Sequence, residues 1–260
     1  MQGDGAGRPI GEAELRQELE RLSPFHHDIA LPYGLRTDMA DLPGGGDQHT
    51  RVQTLVQHGF PALLDVFGGS LDGLGVLDVA CNCGGFSFAA ADRGASRVLG
   101  FDIVPRYVEQ AELIRRALGL EQTEFRLMSI DDVTPESTGT FDVTLCFGIL
   151  YHLEDPIGAM RRLAEVTTSA MLVDTNITRV RFAHQPLWRM NFPPPPSASR
   201  GRTGEWRSER PVVQFSPTAE AVEALLRFLG FARVERLPVS GGDLEKRYRE
   251  GTRATFLAVR

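Results

Sequence analysis

The chain has 260 residues, 42% of them hydrophobic, and a formal net charge of −6 with a pI near 5.6. That is enough to bury one sizeable core, and too acidic overall for general attraction to nucleic acid or to an anionic membrane. No apolar run reaches the roughly 18 residues of a membrane span, and the opening MQGDGAGRPIGEAEL has no basic segment followed by an apolar one, so a single-domain cytoplasmic protein is expected.

Residues 1–50 offer one amphipathic helix, EAELRQELERLSPF, then GLRTDMADLPGGGDQ, and read as a cover. From residue 70 strands and helices alternate. GVLDVA is a buried strand, GFSFAAADRG a helix ended by Gly94, RVLGFDI a second strand and PRYVEQAELIRRALGL an amphipathic helix. TEFRLMSI and FDVTLCFGIL are the third and fourth strands, DPIGAMRRLAEVT a helix opened by Asp155 and Pro156, and SAMLVDTNI the fifth strand. SPTAEAVEALLRFLG is a helix capped by Ser216 or Thr218, and FARVERLPV and ATFLAVR close the chain as strands. This rhythm predicts an α/β fold: a Rossmann-like, doubly wound, mostly parallel seven-stranded sheet with ligand at the carboxyl ends of its strands.

Residues 178–211 break the rhythm. They are rich in Pro, Arg and Ser, but Phe182, Trp188, Phe192 and Trp206 give them an apolar weight that a plain linker does not need, so a lid is expected here rather than a surface insertion. The expected organisation is one domain over 1–260: an N-terminal cover (1–50), a cofactor-binding core (70–175), the lid (178–211) and a C-terminal helix with strands (212–260).

The turn Ala80-Cys81-Asn82-Cys83-Gly84-Gly85 carries the chemistry. A structural zinc site uses two cysteine pairs, and the remaining Cys146 is solitary; a thioredoxin-type pair needs one more intervening residue. No metal is expected, and Cys81 and Cys83 read as packing residues. What remains is a strand-to-helix turn that lets backbone approach a ligand. Asp78 near the strand end, Gly84 and Gly85 at the helix start, and Asp102 at the end of the next strand together form a nucleoside site. The places that a dinucleotide fingerprint fills with glycine hold Ala80, Asn82 and Gly85, so there is no phosphate cradle. S-adenosylmethionine has no phosphate, and the looser turn suits it. Asp102 is placed to accept both ribose hydroxyls, and Asp131 in SIDDV can meet the adenine.

In these motifs and their order the chain resembles the class I S-adenosylmethionine-dependent methyltransferases over residues 70–175. FDVTLCFGILYHLEDP and FSPTAEAVEALLRFLGF are similar to elements of the tRNA wobble-uridine methyltransferase and carboxymethyltransferase family and its small-molecule relatives. The resemblance implies that Ala80, Asp102, Ile103, Ile130, Asp131, Phe147 and Tyr151 line the cofactor and that Arg253 reaches toward the substrate from the last strand. The lysine and tryptophan of the carboxymethylating branch are not recognisable in DLPGGGDQHTRVQTLVQHGF, so ordinary adenosylmethionine and methyl transfer are expected.

Methyl transfer aligns an acceptor that must lose a proton. His152, beside Tyr151 at the end of the fourth strand, is the candidate base; its structural alternative is packing beneath the next helix. His26, His27 and His184 are rivals near the substrate, with Trp188 from the lid. The acidic chain and aromatic lid favour a small hydroxylated metabolite or sugar, methylated on oxygen, as in antibiotic biosynthesis. A wobble uridine of tRNA and a non-catalytic adenosylmethionine-binding role are the alternatives; the oligomeric state stays open.

Overall fold

The computed structural model describes residues 10–37, 54–180, 185–192, 213–238 and 246–260. Helix α1 (Glu12–Leu22) carries Glu12 and Glu14 in its first turn and Arg21 in its last, the order that the helix dipole favours, and buries Leu15 and Leu22. A π-type turn over Leu55–Gly59 leads into α2 (Phe60–Val66). The alternation then runs β1 (Gly75–Val79), α3 (Gly85–Ala91), β2 (Arg97–Asp102), α4 (Pro105–Leu118), β3 (Thr123–Leu127), the short α5 (Pro135–Thr138), β4 (Phe141–Phe147), α6 (Pro156–Val166) and β5 (Thr167–Asn176).

Local chemistry sets these boundaries. Pro105 opens α4, where its missing N–H costs nothing, and Gly119 closes it in the left-handed region at φ 66°. Asp155 caps α6, its side chain accepting from Gly158 N at 2.8 Å.

After β5 comes an antiparallel ribbon of β6 (Trp188–Asn191) and β7 (Gln214–Pro217), followed by α7 (Ala219–Phe228), β8 (Arg233–Arg236), the single turn α8 (Lys246–Arg249) and β9 (Arg253–Val259). Thr218 caps α7 and ties the ribbon to it: its hydroxyl accepts from Leu187 N at 3.1 Å and donates to Gln185 O at 2.8 Å. β7 lies against the Leu150–His152 turn. Part of the expected lid is therefore a folded ribbon; Phe182, His184 and Trp206 lie outside the described residues.

The main sheet has seven strands in the order β3-β2-β1-β4-β5-β9-β8, parallel except for β9, which runs antiparallel to both neighbours. β1 has β2 on one side and β4 on the other, so the order reverses there, and the crevice at the carboxyl ends of these strands is where such sheets bind ligands.

Successive β1 residues serve opposite layers. Leu77 and Val79 pack with Met160, Leu163, Val222 and Leu226 of α6 and α7; Val76 packs with Phe60 and Leu63 of α2 and Phe86 and Ala90 of α3. Each such side chain contributes about 1.5–3 kcal/mol by burial. A third cluster joins Leu15, Leu22, Phe25 and Leu31 to Phe88, Ile114 and Phe125, and Gln110 Nε2 donates to Leu22 O (2.6 Å) and Pro24 O (2.9 Å). The N-terminal cover is thus fastened across α3 and α4, beside the turn that follows β1. Among the described residues no helix is long and apolar enough to cross a membrane.

Candidate active site

Between β1 and α3 the backbone changes hand at alternate residues: Ala80 (φ 54°), Asn82 (φ 52°) and Gly84 (φ 83°) are all left-handed. This bends the main chain sharply at the switch point. Asn82 tolerates the conformation and steadies it, its Oδ1 accepting from Cys83 N at 2.8 Å. Ala80 has no such compensation, and roughly 1–2 kcal/mol of local strain is held there. The third left-handed position is Gly84, the N-cap of α3, and Gly85 is the first residue of that helix. A Cβ on Gly84 would come within 2.9 Å of both Phe125 and Phe88, so packing as well as backbone requires glycine.

Asp102 ends β2 and is 6% exposed. One carboxylate oxygen accepts from Asn82 N and the other from Val104 N, each at 3.0 Å. It therefore binds the β1 turn to β2, and each oxygen keeps further acceptor capacity. Burial raises its pKa, and the amides of Val104, Asn82 and Ile103 pull it back. Beside it Ile103 is 63% exposed, and at the end of β3 Leu127 is 58% exposed, two apolar side chains left uncovered on the carboxyl edge. Ser129 caps the following turn, its Oγ accepting from Asp131 N at 3.2 Å; Ile130 is buried, while Asp131 is exposed and 3.4 Å from Arg162 Nη1.

At the end of β4, Phe147 is buried edge-on against Phe86, with ring centroids 4.7 Å apart. The next turn presents Tyr151 and His152, whose half-exposed rings lie 4.3 Å apart. His152 Nδ1 is buried. Trp188, half-exposed, stands on the ribbon that packs on this turn.

Two residues sit otherwise than expected. Asp78 is 1% exposed and accepts from Ser87 Oγ at 2.6 Å, so it braces the turn from below instead of facing a nucleoside. Burial pushes its pKa up to about 7. His27 is also buried: its Nδ1 accepts from Gly85 N at 3.0 Å, which fixes the proton on Nε2 and makes the side chain a plug at the start of α3 instead of a substrate contact. His26 packs edge-on against Tyr107 of α4, with centroids 5.1 Å apart.

Arg253 is where the sequence pattern gives least warning of what the fold builds. Its side chain and that of Asp174 have no solvent exposure, and they form an ion pair in which Arg253 Nε donates to Asp174 Oδ1 at 2.7 Å and Nη2 makes a second contact. Tyr248 OH and Thr255 Oγ1 donate to the other oxygen at 2.5 and 3.0 Å, and Arg253 Nη1 donates to Asn176 Oδ1 at 3.1 Å. Burial opposes the Arg253 charge, and Asp174 beside it more than restores it. The guanidinium also lies 5.8 Å from the Tyr151 ring centroid. Asp174 and Tyr248 were not anticipated as part of the site. The one available signal was a lone carboxylate inside the apolar strand AMLVDTN.

Cys81, Cys83 and Cys146 are unpaired and fully buried, and burial pushes the thiols of Cys83 and Cys146 up to about 12 and that of Cys81 well above its usual value, which makes all three inert packing groups.

A class of protein follows from this geometry. Residues 70–183 match the family model described as a methyltransferase domain. The ubiquinone biosynthesis O-methyltransferase of Xanthomonas oryzae pv. oryzae (strain PXO99A) is 37% identical over 111 residues, covering 41% of this chain and 44% of that protein. The tRNA U34 carboxymethyltransferase of Campylobacter jejuni subsp. doylei is 33% identical over 101 residues, 39% of this chain and 34% of that protein. The chain thus spans less than half the length of these curated relatives. In fold it is similar to the N-terminal domain of EvdMO1, crystallised in the presence of SAH and D-fucose, with a TM-score of 0.68 at 18% identity over 96% of this chain and 97% of that one. Residues 70–183 thus carry a methyltransferase domain, in a fold similar to that of solved S-adenosylmethionine-dependent methyltransferases.

Proposed function

We propose that the protein holds S-adenosylmethionine along the carboxyl ends of β1 to β4 and transfers its methyl group to a hydroxyl of a small molecule, a secondary metabolite or sugar. The observation that carries this reading is the left-handed series Ala80, Asn82, Gly84 tied to the Asp102 carboxylate at the switch point. The residues present fit the cofactor: a strand-end carboxylate for a ribose diol, uncovered Ile103 and Leu127 for the faces of an adenine, exposed Asp131 for its amine, and the left-handed backbone of the β1 turn for an amino-acid end. Bound there, the cofactor supplies a methyl group activated on a sulfonium.

This chain's own work is alignment and proton removal. Tyr151 and His152 stand at the end of β4, where an acceptor would meet the cofactor, and the His152 imidazole takes the hydroxyl proton. The ribbon bearing Trp188 covers the turn and limits water. O-methylation of a small molecule is supported by the ubiquinone-biosynthesis relatives and by the acidic charge balance. A second reading, methyl transfer to a modified wobble uridine of tRNA, rests on the relative of that class.

Incubation with methyl-labelled adenosylmethionine and separate pools of catechols, phenols, sugars and bulk tRNA tests the assignment. Label in a phenol or sugar supports it, label in tRNA alone transfers support to the second reading, and label in none of them with cofactor binding intact indicates a binding protein without turnover.

A further inference from the structure

We propose that a cavity next to the Tyr151–His152 turn is a binding site for an oxyanionic group, carboxylate or phosphate, carried by the acceptor molecule; this rests on the methyl-transfer reading above. The cavity has a volume of about 1090 Å³ and lies between the end of β5, the start of α7, the end of β8 and the turn that joins α8 to β9. That space suits a small molecule with more than one ring.

The charge of its described lining is opposite to that of the whole chain. Arg179, Arg236 and Arg249 stand exposed on its lining. Against them the described lining sets two carboxylates, Glu220 and Glu250, and the Glu250 carboxylate is drawn to Lys246 at 3.7 Å. Arg179 is held in place by its Nη1, which donates to Glu250 O at 3.2 Å. In a chain of net charge −6, three guanidiniums facing one space make a local reversal, and guanidinium forks match the paired oxygens of carboxylates and phosphates.

Arg253 completes the argument. It lines the same cavity, but its charge is already matched by Asp174, so it gives the floor shape and leaves the exposed arginines to set the sign. Because it also lies 5.8 Å from the Tyr151 ring centroid, the cavity and the proposed reaction centre share a wall. An acceptor anchored by its anionic end in the cavity would extend its hydroxyl toward that turn. The arginines are then selectors of acceptor charge and not part of the cofactor site.

The test uses the whole protein, labelled with ¹⁵N, titrated in low salt with phenyl phosphate, benzoate and the neutral benzyl alcohol, while the amide signals of Thr178, Ala219 and Gly251 are followed. Expected are saturable shifts with one or both anions and none with benzyl alcohol; the tighter anion says whether phosphate or carboxylate is preferred. In the double variant Arg236→Gln/Arg249→Gln, the Kd for that anion should rise about tenfold, roughly threefold for each exposed contact. No shift with either anion, equal shifts with benzyl alcohol, or an unchanged Kd in the double variant would overturn the proposal. S-adenosylhomocysteine titrated into the same samples is the separate check on the cofactor reading: its failure to bind, with the anion response intact, would remove the proposed function and leave an anion site.

Discussion

Replacing Asp174 with alanine removes the acceptor shared by Arg253, Tyr248 and Thr255. Neither charged side chain of the pair touches solvent, so the variant must keep a guanidinium without its counter-charge where water does not reach. Breaking such a buried pair costs about 3–5 kcal/mol, and two hydroxyls losing their acceptor add about 1 kcal/mol together, a total of roughly 4–6 kcal/mol. For a domain of this size each kcal/mol lowers Tm by about 2–4 °C, so Asp174→Ala should melt roughly 10–20 °C below the wild type. Thermal and urea unfolding measure this directly. Asp174→Leu combined with Arg253→Met should recover most of the loss, because the penalty lies in the uncompensated charge. A cost below about 1 kcal/mol for the single variant, or a double variant no more stable than the single, would refute it.

His152→Ala should lower kcat by about 10²–10⁴ with the affinity for S-adenosylhomocysteine unchanged, and should abolish the loss of rate on the acid side of the pH profile; an unaltered profile would show that the ring is only structural. Asp78 makes a pH prediction with a definite sign. Its folded pKa near 7 lies above its usual 3.8, so the folded state binds the extra proton between those values, and stability contributed by the neutral carboxyl falls as pH rises from about 4 to about 7, by up to roughly 4 kcal/mol. Asp78→Asn keeps an acceptor for Ser87 and should flatten this slope in urea unfolding; an identical slope in both proteins would contradict it. Treatment with EDTA should leave turnover and Tm unchanged, and activity lost to the chelator and restored by magnesium or zinc would overturn the metal-free mechanism.

The strand and helix alternation after residue 70 was legible because its signals are local, apolar strand runs and Asp155 with Pro156 at a helix start, although α4 ends at Leu118, before Gly119, and not at Leu120. The position of Asp102 was legible for the same reason, as an acid closing the strand after the turn. Helix α2 was not, since VQHGFPALLDVF carries Gly59 and Pro61 in a stretch whose helicity rests on packing Phe60 and Leu63 against the sheet. The β6–β7 ribbon was also hidden: β7 is QFSP, four residues that read as a helix start because Thr218 does cap the helix just after them. Asp78 and His27 were placed facing ligand because sequence shows which residues are near a turn, not which side of it they occupy. Ser87 and Gly85, their partners, are fixed only once α3 packs down on β1 and the N-terminal cover crosses it. The Asp174–Arg253 pair joins residues 79 positions apart and depends on β9 returning antiparallel beside β5, a register that neither strand states alone.

The central claim is a cofactor site built on Asp102, and calorimetric titration of S-adenosylhomocysteine into the wild type and Asp102→Ala tests it most directly. The account predicts one site per chain in the wild type and an affinity about 30- to 150-fold weaker in the variant, equivalent to about 2–3 kcal/mol for charge-assisted hydrogen bonds to the ribose, with the variant's circular dichroism spectrum still that of the folded protein. A folded wild type that gives no binding heat across several temperatures, or a folded variant that binds as tightly as the wild type, would contradict it.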